Sequence, residues 1–323
     1  MSTFKKSIAS GSELKGVFPA LFTPLNNDDP KRLRNSIDYA KAKHIIDDLI
    51  AEGVNGLVPV GTTGQSPTVS SKQHLDFIRF TVDYVEGRVP VIAGAGSNCT
   101  RESVDLIQEI QKNMGDIAVL CVTGYYNSPP QEGLLGHYEM LAQETGAKIV
   151  IYNVPSRTTS YLEPETLIRL AENPQIIGVK QAVDFRSQGK HREDTERVIR
   201  QTQNLDFSVV SGEDDGVYSM LELGGKGVIT ATGTIAEGSR YFLKLITAYN
   251  AGRKAEAEQL QKEAMTLIQK VFSRKNPIPL GAFFNSPLFL PLVSVIETQG
   301  GKELQAELIN MIPNKLPSLK KYH

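Results

Sequence analysis

An α/β chain folded as a (β/α)8 TIM barrel with a C-terminal helical extension is the architecture this sequence predicts, and three observations predict it. Short apolar runs alternate with longer stretches of helical periodicity, eight such runs occur before about residue 245, and beyond Arg240 only helical patterning continues. A doubly wound open sheet would more often carry about five to seven strands. The length of 323 residues suits one large α/β domain with an appendage, since barrels of this kind run to roughly 200–250 residues. On this reading the chain divides into an N-terminal arm (1–15), expected to be mobile, a barrel (16–239) and a C-terminal helical region (240–323) packed beside it.

The eight apolar runs, in order, are GVFPALF (16–22), NGLVPVG (55–61), VPVIAGAG (89–96), IAVLCVT (117–123), KIVIYNV (148–154), IIGVK (176–180), FSVVSG (207–212) and KGVITAT (226–232). Each is short, rich in β-branched residues and bounded by glycine or a polar turn, as a strand buried on both faces should be. Between them lie SIDYAKAKHIIDDLIAEG, SKQHLDFIRFTVDYVEG, RESVDLIQEIQKNMG and EGLLGHYEMLAQETGA, whose apolar residues recur at three and four. The last begins behind Pro129-Pro130 and stops at Gly146, the start and stop chemistry of a helix. After Arg240 come YFLKLITAYNAG and KAEAEQLQKEAMTLIQKVF, then a break at Asn276-Pro277-Ile278-Pro279 and a last helical region near 301–312.

Composition narrows the function. With 40% hydrophobic and 22% charged residues and a net charge of −1, the chain offers no electrostatic footprint for nucleic acid or a membrane surface. No apolar run approaches the roughly 18–20 residues that cross a bilayer, and the start, MSTFKKSIASGSELKG, lacks a signal peptide's apolar core, so a cytoplasmic protein is expected. Cys99 and Cys121 form no CxxC pair, and His44, His74, His137, His191 and His323 show no metal-ligand spacing. Neither a structural disulfide nor a metal centre is expected, and no cofactor is called for.

In barrels of this type chemistry gathers where strands end, so the polar residues just after apolar runs carry the information. The second run ends in Gly61-Thr62-Thr63-Gly64, the fourth in Gly124-Tyr125-Tyr126-Asn127, the fifth in Tyr152-Asn153-Val154-Pro155-Ser156-Arg157-Thr158 and the sixth in Lys180. An ammonium at the end of IIGVK either escapes to solvent or has a task. A primary amine can attack a ketone or aldehyde, expel water and form an imine. The attacking form is neutral, which apolar neighbours favour. Tyr152, Thr62 and Tyr126 are placed to shuttle its protons, the threonine pair can hold a carboxylate through hydroxyl and backbone N–H groups, and Arg157 offers a planar fork for another. Taken singly, each has a plainer explanation: Lys180 as a snorkelling surface residue, Tyr152 as a core aromatic, GTTG as a turn, Arg157 as an ion-pair partner. Their joint placement at the ends of different strands of one barrel favours the catalytic reading.

GTTG (61–64), GAGSNCTRES (94–103), GYYNSPPQEGLLGHY (124–138), YNVPSRT (152–158), GVK (178–180) and GGKGVITAT (224–232) together resemble the pyruvate-dependent class I aldolases, the family of dihydrodipicolinate synthase and N-acetylneuraminate lyase. The likeness runs from about Gly16 to about Asn285. It implies a Schiff base between Lys180 and pyruvate, a proton relay of Tyr152, Thr62 and Tyr126, a pyruvate carboxylate held by Thr63, and further substrate contacts at Gly212 and Ile229. Arg157 matches the synthase branch, where an arginine takes the carboxylate of aspartate 4-semialdehyde. The expected reaction is then condensation of pyruvate with L-aspartate 4-semialdehyde to 4-hydroxy-tetrahydrodipicolinate, in lysine and diaminopimelate biosynthesis. Tyr126 implies an oligomer, a homotetramer built from dimers or a homodimer, because in the family this tyrosine reaches a neighbouring subunit's site. Ser66, His74, Asn98, Glu102 and Tyr125 match a lysine-binding cleft of feedback-inhibited members; Ser71 stands where some use histidine. The plainer role for Glu102 is to favour the first turn of a helix.

Three places depart from the synthase pattern: Gln65 where glutamate is common after GTTG, Gln181 where the synthases read KEA, and NPIPLGAFFNSPLFLPLVSV (276–295). Gln181 points toward a second reading, an N-acetylneuraminate or 2-keto-3-deoxy sugar acid aldolase, and Arg157 argues against it. A third reading, a non-catalytic module binding a 2-oxo acid, has no need of a full relay.

Overall fold

The structure is a computed structural model and describes residues 7–292 and 300–310. Among the described residues, seven strands form one parallel sheet in the order β1-β7-β6-β5-β4-β3-β2. They are β1 (Gly16–Pro19), β2 (Ile92–Gly94), β3 (Ala118–Val122), β4 (Ile149–Asn153), β5 (Ile176–Gln181), β6 (Ser208–Ser211) and β7 (Gly227–Thr230). The run at 55–61 supplies the eighth stave through two parallel bridges, Ala20 to Val58 on one side and Leu57 to Val91 on the other. Those bridges join β1 to the chain entering β2, so the sheet closes on itself as a barrel, and all eight expected runs take part.

Near-complete burial explains why the strands read as continuous apolar sequence. All six residues of β5 are buried, as are all five of β4. One side-chain set fills the barrel interior, with Phe18, Val58, Ile92, Leu120, Val150, Ile177, Val210 and Ile229 among it. The other packs under the helices, with Val119, Cys121, Ile149, Ile151, Val179 and Val209.

The helices are α1 (Tyr39–Glu52), α2 (Ser71–Val85), α3 (Thr100–Met114), α4 (Gln131–Thr145), α5 (Pro155–Thr158), α6 (Pro164–Ala171), α7 (Lys190–Thr202), α8 (Val217–Glu222), α9 (Ala236–Asn250), α10 (Lys254–Val271), α11 (Ile278–Phe283) and α12 (Gly301–Asn310). Local chemistry sets their ends. Asp38 caps α1 by accepting from Lys41 N at 2.9 Å, Ser70 and Gln73 form a reciprocal capping box on α2, and Gly146 ends α4 in the left-handed region at φ 62°. No described helix is long and apolar enough to cross a membrane.

Two of the expected divisions shift. Residues from 8 onward in the expected arm are packed: Ile8 and Leu14 are buried in the barrel interior, Ser208 Oγ donates to Gly11 O at 2.7 Å, and Ser12 N donates to Asp206 Oδ1 at 3.0 Å. Residues 1–6 lie outside the described residues. The expected boundary at 239/240 falls inside α9, which packs on β1 and α1 as the helix of the last β/α unit, so the extension begins with α10.

The extension also does more than lie beside the barrel. Phe284 stacks on Phe22 at 5.2 Å between centroids, and Lys41 Nζ donates to Phe284 O and Asn285 O at 2.9 and 3.0 Å. Gln65, fully buried, donates from Nε2 to Thr23 O at 3.0 Å and accepts from Phe289 N at 3.2 Å. These bonds draw the segment after α10 across the C-terminal mouth of the barrel. The expected helical region at 301–312 is α12; residues 293–299 and 311–323 lie outside the described residues.

Candidate active site

Strand alternation aims Lys180 inward. Its neighbour Val179 packs under the helices, while Lys180, 7% exposed, faces the barrel axis near the C-terminal end of β5. In the register of β4 with β5 it lies beside Tyr152, and its Nζ sits 4.3 Å from the centroid of that ring. A cavity of about 480 Å³ opens above the pair. Lys180, Tyr152, Thr62, Thr63, Arg157 and Gly212 all line it, so the structure brings together six residues singled out from sequence.

Each is held by a local device. Gly212 leaves room for the lysine: a Cβ there would stand 3.1 Å from Lys180 Cε and 2.7 Å from Ala182 Cβ. Arg157 rides on α5, a single helical turn begun by Pro155, and its Nη2 donates to Asn276 O at 3.2 Å. Thr63, 2% exposed, accepts through Oγ1 from Asn276 Nδ2 at 3.0 Å. One residue of the crossing segment therefore fixes both the arginine and the threonine, while Phe272, Ser273, Arg274 and Lys275 complete the cavity's wall.

Asn276 and Glu213 are among the lining residues that sequence reasoning missed, with Arg274 and Lys275 beside them. Asn276 was visible only as part of a Pro-containing break. Glu213 follows Gly212 after β6, and its carboxyl is pushed up first by burial and then by the Asp214 charge. Burial likewise raises Asp214, which accepts from Thr232 N at 2.6 Å.

Other expected residues lie elsewhere. Ile229 is fully buried on β7 in the apolar interior and is not in the cavity's wall. Tyr126 is 93% exposed at φ 74°, outside the cavity of its own chain. Gln181 points away from Lys180 into the layer between strands and helices, accepting from Asn153 Nδ2 at 3.0 Å and donating to Thr195 Oγ1 at 3.3 Å.

A second cavity of about 790 Å³ shares Thr62, Val154 and Arg157 with the first. Ser66, His74, Glu102 and Tyr125 line it, as does Ser71; Asn98 does not. His74 bonds through Nε2 to Gly94 O at 2.7 Å, and burial pulls its pKa down against the opposing effect of that bond. Glu102 lies in the first turn of α3 and accepts from Ser97 Oγ at 2.7 Å.

A buried primary amine beside a phenol, with hydroxyls and a guanidinium on the same cavity, can form an imine with a keto acid, move its protons and hold carboxylates. The sequence profile of the dihydrodipicolinate synthetase family matches residues 13–286. Among named relatives, 4-hydroxy-tetrahydrodipicolinate synthase of Methanopyrus kandleri is 39% identical over 273 residues, covering 84% of this chain and 86% of the relative. Among solved structures, dihydrodipicolinate synthase from Thermotoga maritima superposes with a TM-score of 0.82 at 32% identity, over 92% of this chain and 97% of the other. The synthase of Cyanidioschyzon merolae, solved with lysine bound, does so with a TM-score of 0.82 at 28% identity, over 93% and 98%. Fold, cavity and sequence agree: the chain belongs to the dihydrodipicolinate synthetase family.

Proposed function

We propose that this chain is a Schiff-base lyase that condenses pyruvate with L-aspartate 4-semialdehyde to 4-hydroxy-tetrahydrodipicolinate. The observation that carries the reading is the amine of Lys180, buried at the base of a cavity against Tyr152 and sharing that cavity with Thr62, Thr63 and Arg157. Lys180 Nζ attacks the ketone carbon of pyruvate, water leaves, and the imine acidifies the methyl group. Loss of a methyl proton gives an enamine whose carbon attacks the aldehyde. Tyr152 and Thr62 carry protons in these steps, with Tyr126 of the partner subunit as the third member of the relay; Thr63 holds the pyruvate carboxylate and Arg157 that of the semialdehyde. A tyrosine as exposed as Tyr126 serves a second copy better than its own chain, which supports a homodimer or a homotetramer.

The sugar-acid aldolase reading loses its support, because Gln181 faces the helices and touches no part of the cavity. The second cavity, with Ser66, His74, Glu102 and Tyr125 in its wall, is proposed to take lysine as an effector. Its absence of effect on activity at millimolar lysine would remove that part.

Borohydride reduction in the presence of pyruvate, followed by mass spectrometry of the peptides, tests the core of the proposal. A reduced adduct on Lys180, lost in Lys180→Ala, is expected together with turnover of aspartate 4-semialdehyde and none of N-acetylneuraminate. Wild-type protein without an adduct would reduce the chain to a binding module.

A further inference from the structure

The cavity's charge is lopsided. Four cationic side chains line it, Arg157, Lys180, Arg274 and Lys275, and among the described residues lining it Glu213 alone is acidic. Anionic substrates account for the cations and leave the acid unexplained, since a carboxylate beside a keto acid repels it. Among the described residues the Glu213 side chain makes no hydrogen bond or close ion pair, although the charges of Arg186 and Lys180 act on its carboxyl from a distance. The nearby Arg186 is engaged by Asp184 and Asp215.

Its backbone is nonetheless fixed on both sides. Ser211 Oγ accepts from Glu213 N at 3.1 Å and donates to Glu213 O at 2.6 Å, so the hydroxyl closes a tight turn after β6. Strand order places β6 on one side of β5 and β4 on the other. Lys180 therefore stands between the acid that follows β6 and the guanidinium that follows β4. An amino acid aldehyde carries its ammonium and carboxylate on one carbon, and two opposite charges flanking the reacting amine match that pair.

Resting on the condensation proposed above, we propose that Glu213 binds the α-ammonium group of the aldehyde substrate and accepts a proton from it when that nitrogen closes the ring. After the new carbon–carbon bond has formed, the substrate nitrogen, stripped of a proton by the Glu213 carboxylate, attacks the imine carbon, forming a carbon–nitrogen bond. The bond from that carbon to Lys180 Nζ then breaks, the Nζ leaving as a protonated amine and the ring nitrogen keeping the double bond. No oxidant or further reactant is needed. A carboxyl whose proton affinity burial has raised suits the transfer.

Glu213→Gln keeps size and polarity and removes the charge. Three measurements on purified full-length protein test the role: borohydride trapping of pyruvate, steady-state kinetics with aspartate 4-semialdehyde, and inhibition by succinate semialdehyde, the analogue lacking the amino group. Trapping and succinate semialdehyde inhibition should match wild type, while kcat/KM for aspartate 4-semialdehyde falls roughly ten- to a hundredfold; Glu213→Asp should recover part of it. The role is overturned if kcat/KM stays within about twofold, if the analogue weakens by the same factor, or if Glu213→Gln no longer traps pyruvate. Failure of the wild-type protein to trap pyruvate would instead take down the condensation itself and this role with it.

Discussion

Thr63 and Asn276, 213 residues apart, are joined by a 3.0 Å hydrogen bond from the Asn276 amide to the Thr63 hydroxyl, both side chains being buried. The bond ties the turn after the second stave to the segment that crosses the barrel mouth.

Asn276→Ala removes the donor and leaves the Thr63 hydroxyl to reorient. We expect KM for pyruvate to rise several-fold and stability to fall by about 1–2 kcal/mol, read from initial rates and denaturant unfolding. Unchanged kinetics in a normally stable variant would show that Thr63 is held by other means.

Arg157 divides two steps of the reaction. Because it rides on its own helical turn and leans on a backbone carbonyl, its loss should spare the lysine. Arg157→Ala is expected to lower kcat/KM for aspartate 4-semialdehyde by at least about a hundredfold while pyruvate trapping stays within about twofold. Equal loss of both would contradict its place as the carboxylate fork.

Gly212 is required by proximity and not by backbone angle. Gly212→Ala pushes a methyl group to 2.7 Å from Ala182 Cβ and 3.1 Å from Lys180 Cε. Overpacking of this kind costs roughly 1–3 kcal/mol, and the rate of adduct formation should drop at least about tenfold. Single-turnover trapping with stopped borohydride quench measures it.

Acid should weaken the fold through buried imidazole. Burial brings His137 down to about 4 from an ordinary 6.5, and Nδ1 pairs with Thr100 Oγ1 at 2.9 Å. Between those pH values the unfolded chain takes up a proton that the folded chain refuses, so stability is lost as pH falls from about 6.5 toward 4. The contribution is on the order of 3 kcal/mol. His74, also held low by burial, acts in the same direction. His137→Gln should therefore shrink the gap in Tm between pH 7 and about pH 4.5; an unaltered gap would assign the acid sensitivity to other groups.

The barrel was legible because its strands are buried on both faces and its helices repeat at three and four, so each element announces itself over a few residues. Lys180, Tyr152, Thr62, Thr63 and Arg157 were legible for a related reason: all stand at strand ends, and closure of the barrel alone brings strand ends together. Asn276 and Glu213 were not. The first reaches the site only because Gln65, Lys41 and Phe22 draw a distant segment across the mouth, and the second matters only through the charges around it. Gln181 was misread as a clue to substrate, although simple alternation from an inward Lys180 already turns it toward the helices. The mobile-arm expectation failed at Ile8 and Leu14 because nothing local in that stretch tells of the barrel interior it fills.

The packed N-terminal stretch belongs to the foundation of the site. Ile8 and Leu14 pack with Phe18, Ile177 and Val210 inside the stave ring, so the apolar filling of the barrel beneath Lys180 is supplied in part by residues that precede the first strand. Trimming the chain ahead of residue 16 would therefore hollow the floor under the reacting amine and not merely shorten a tail.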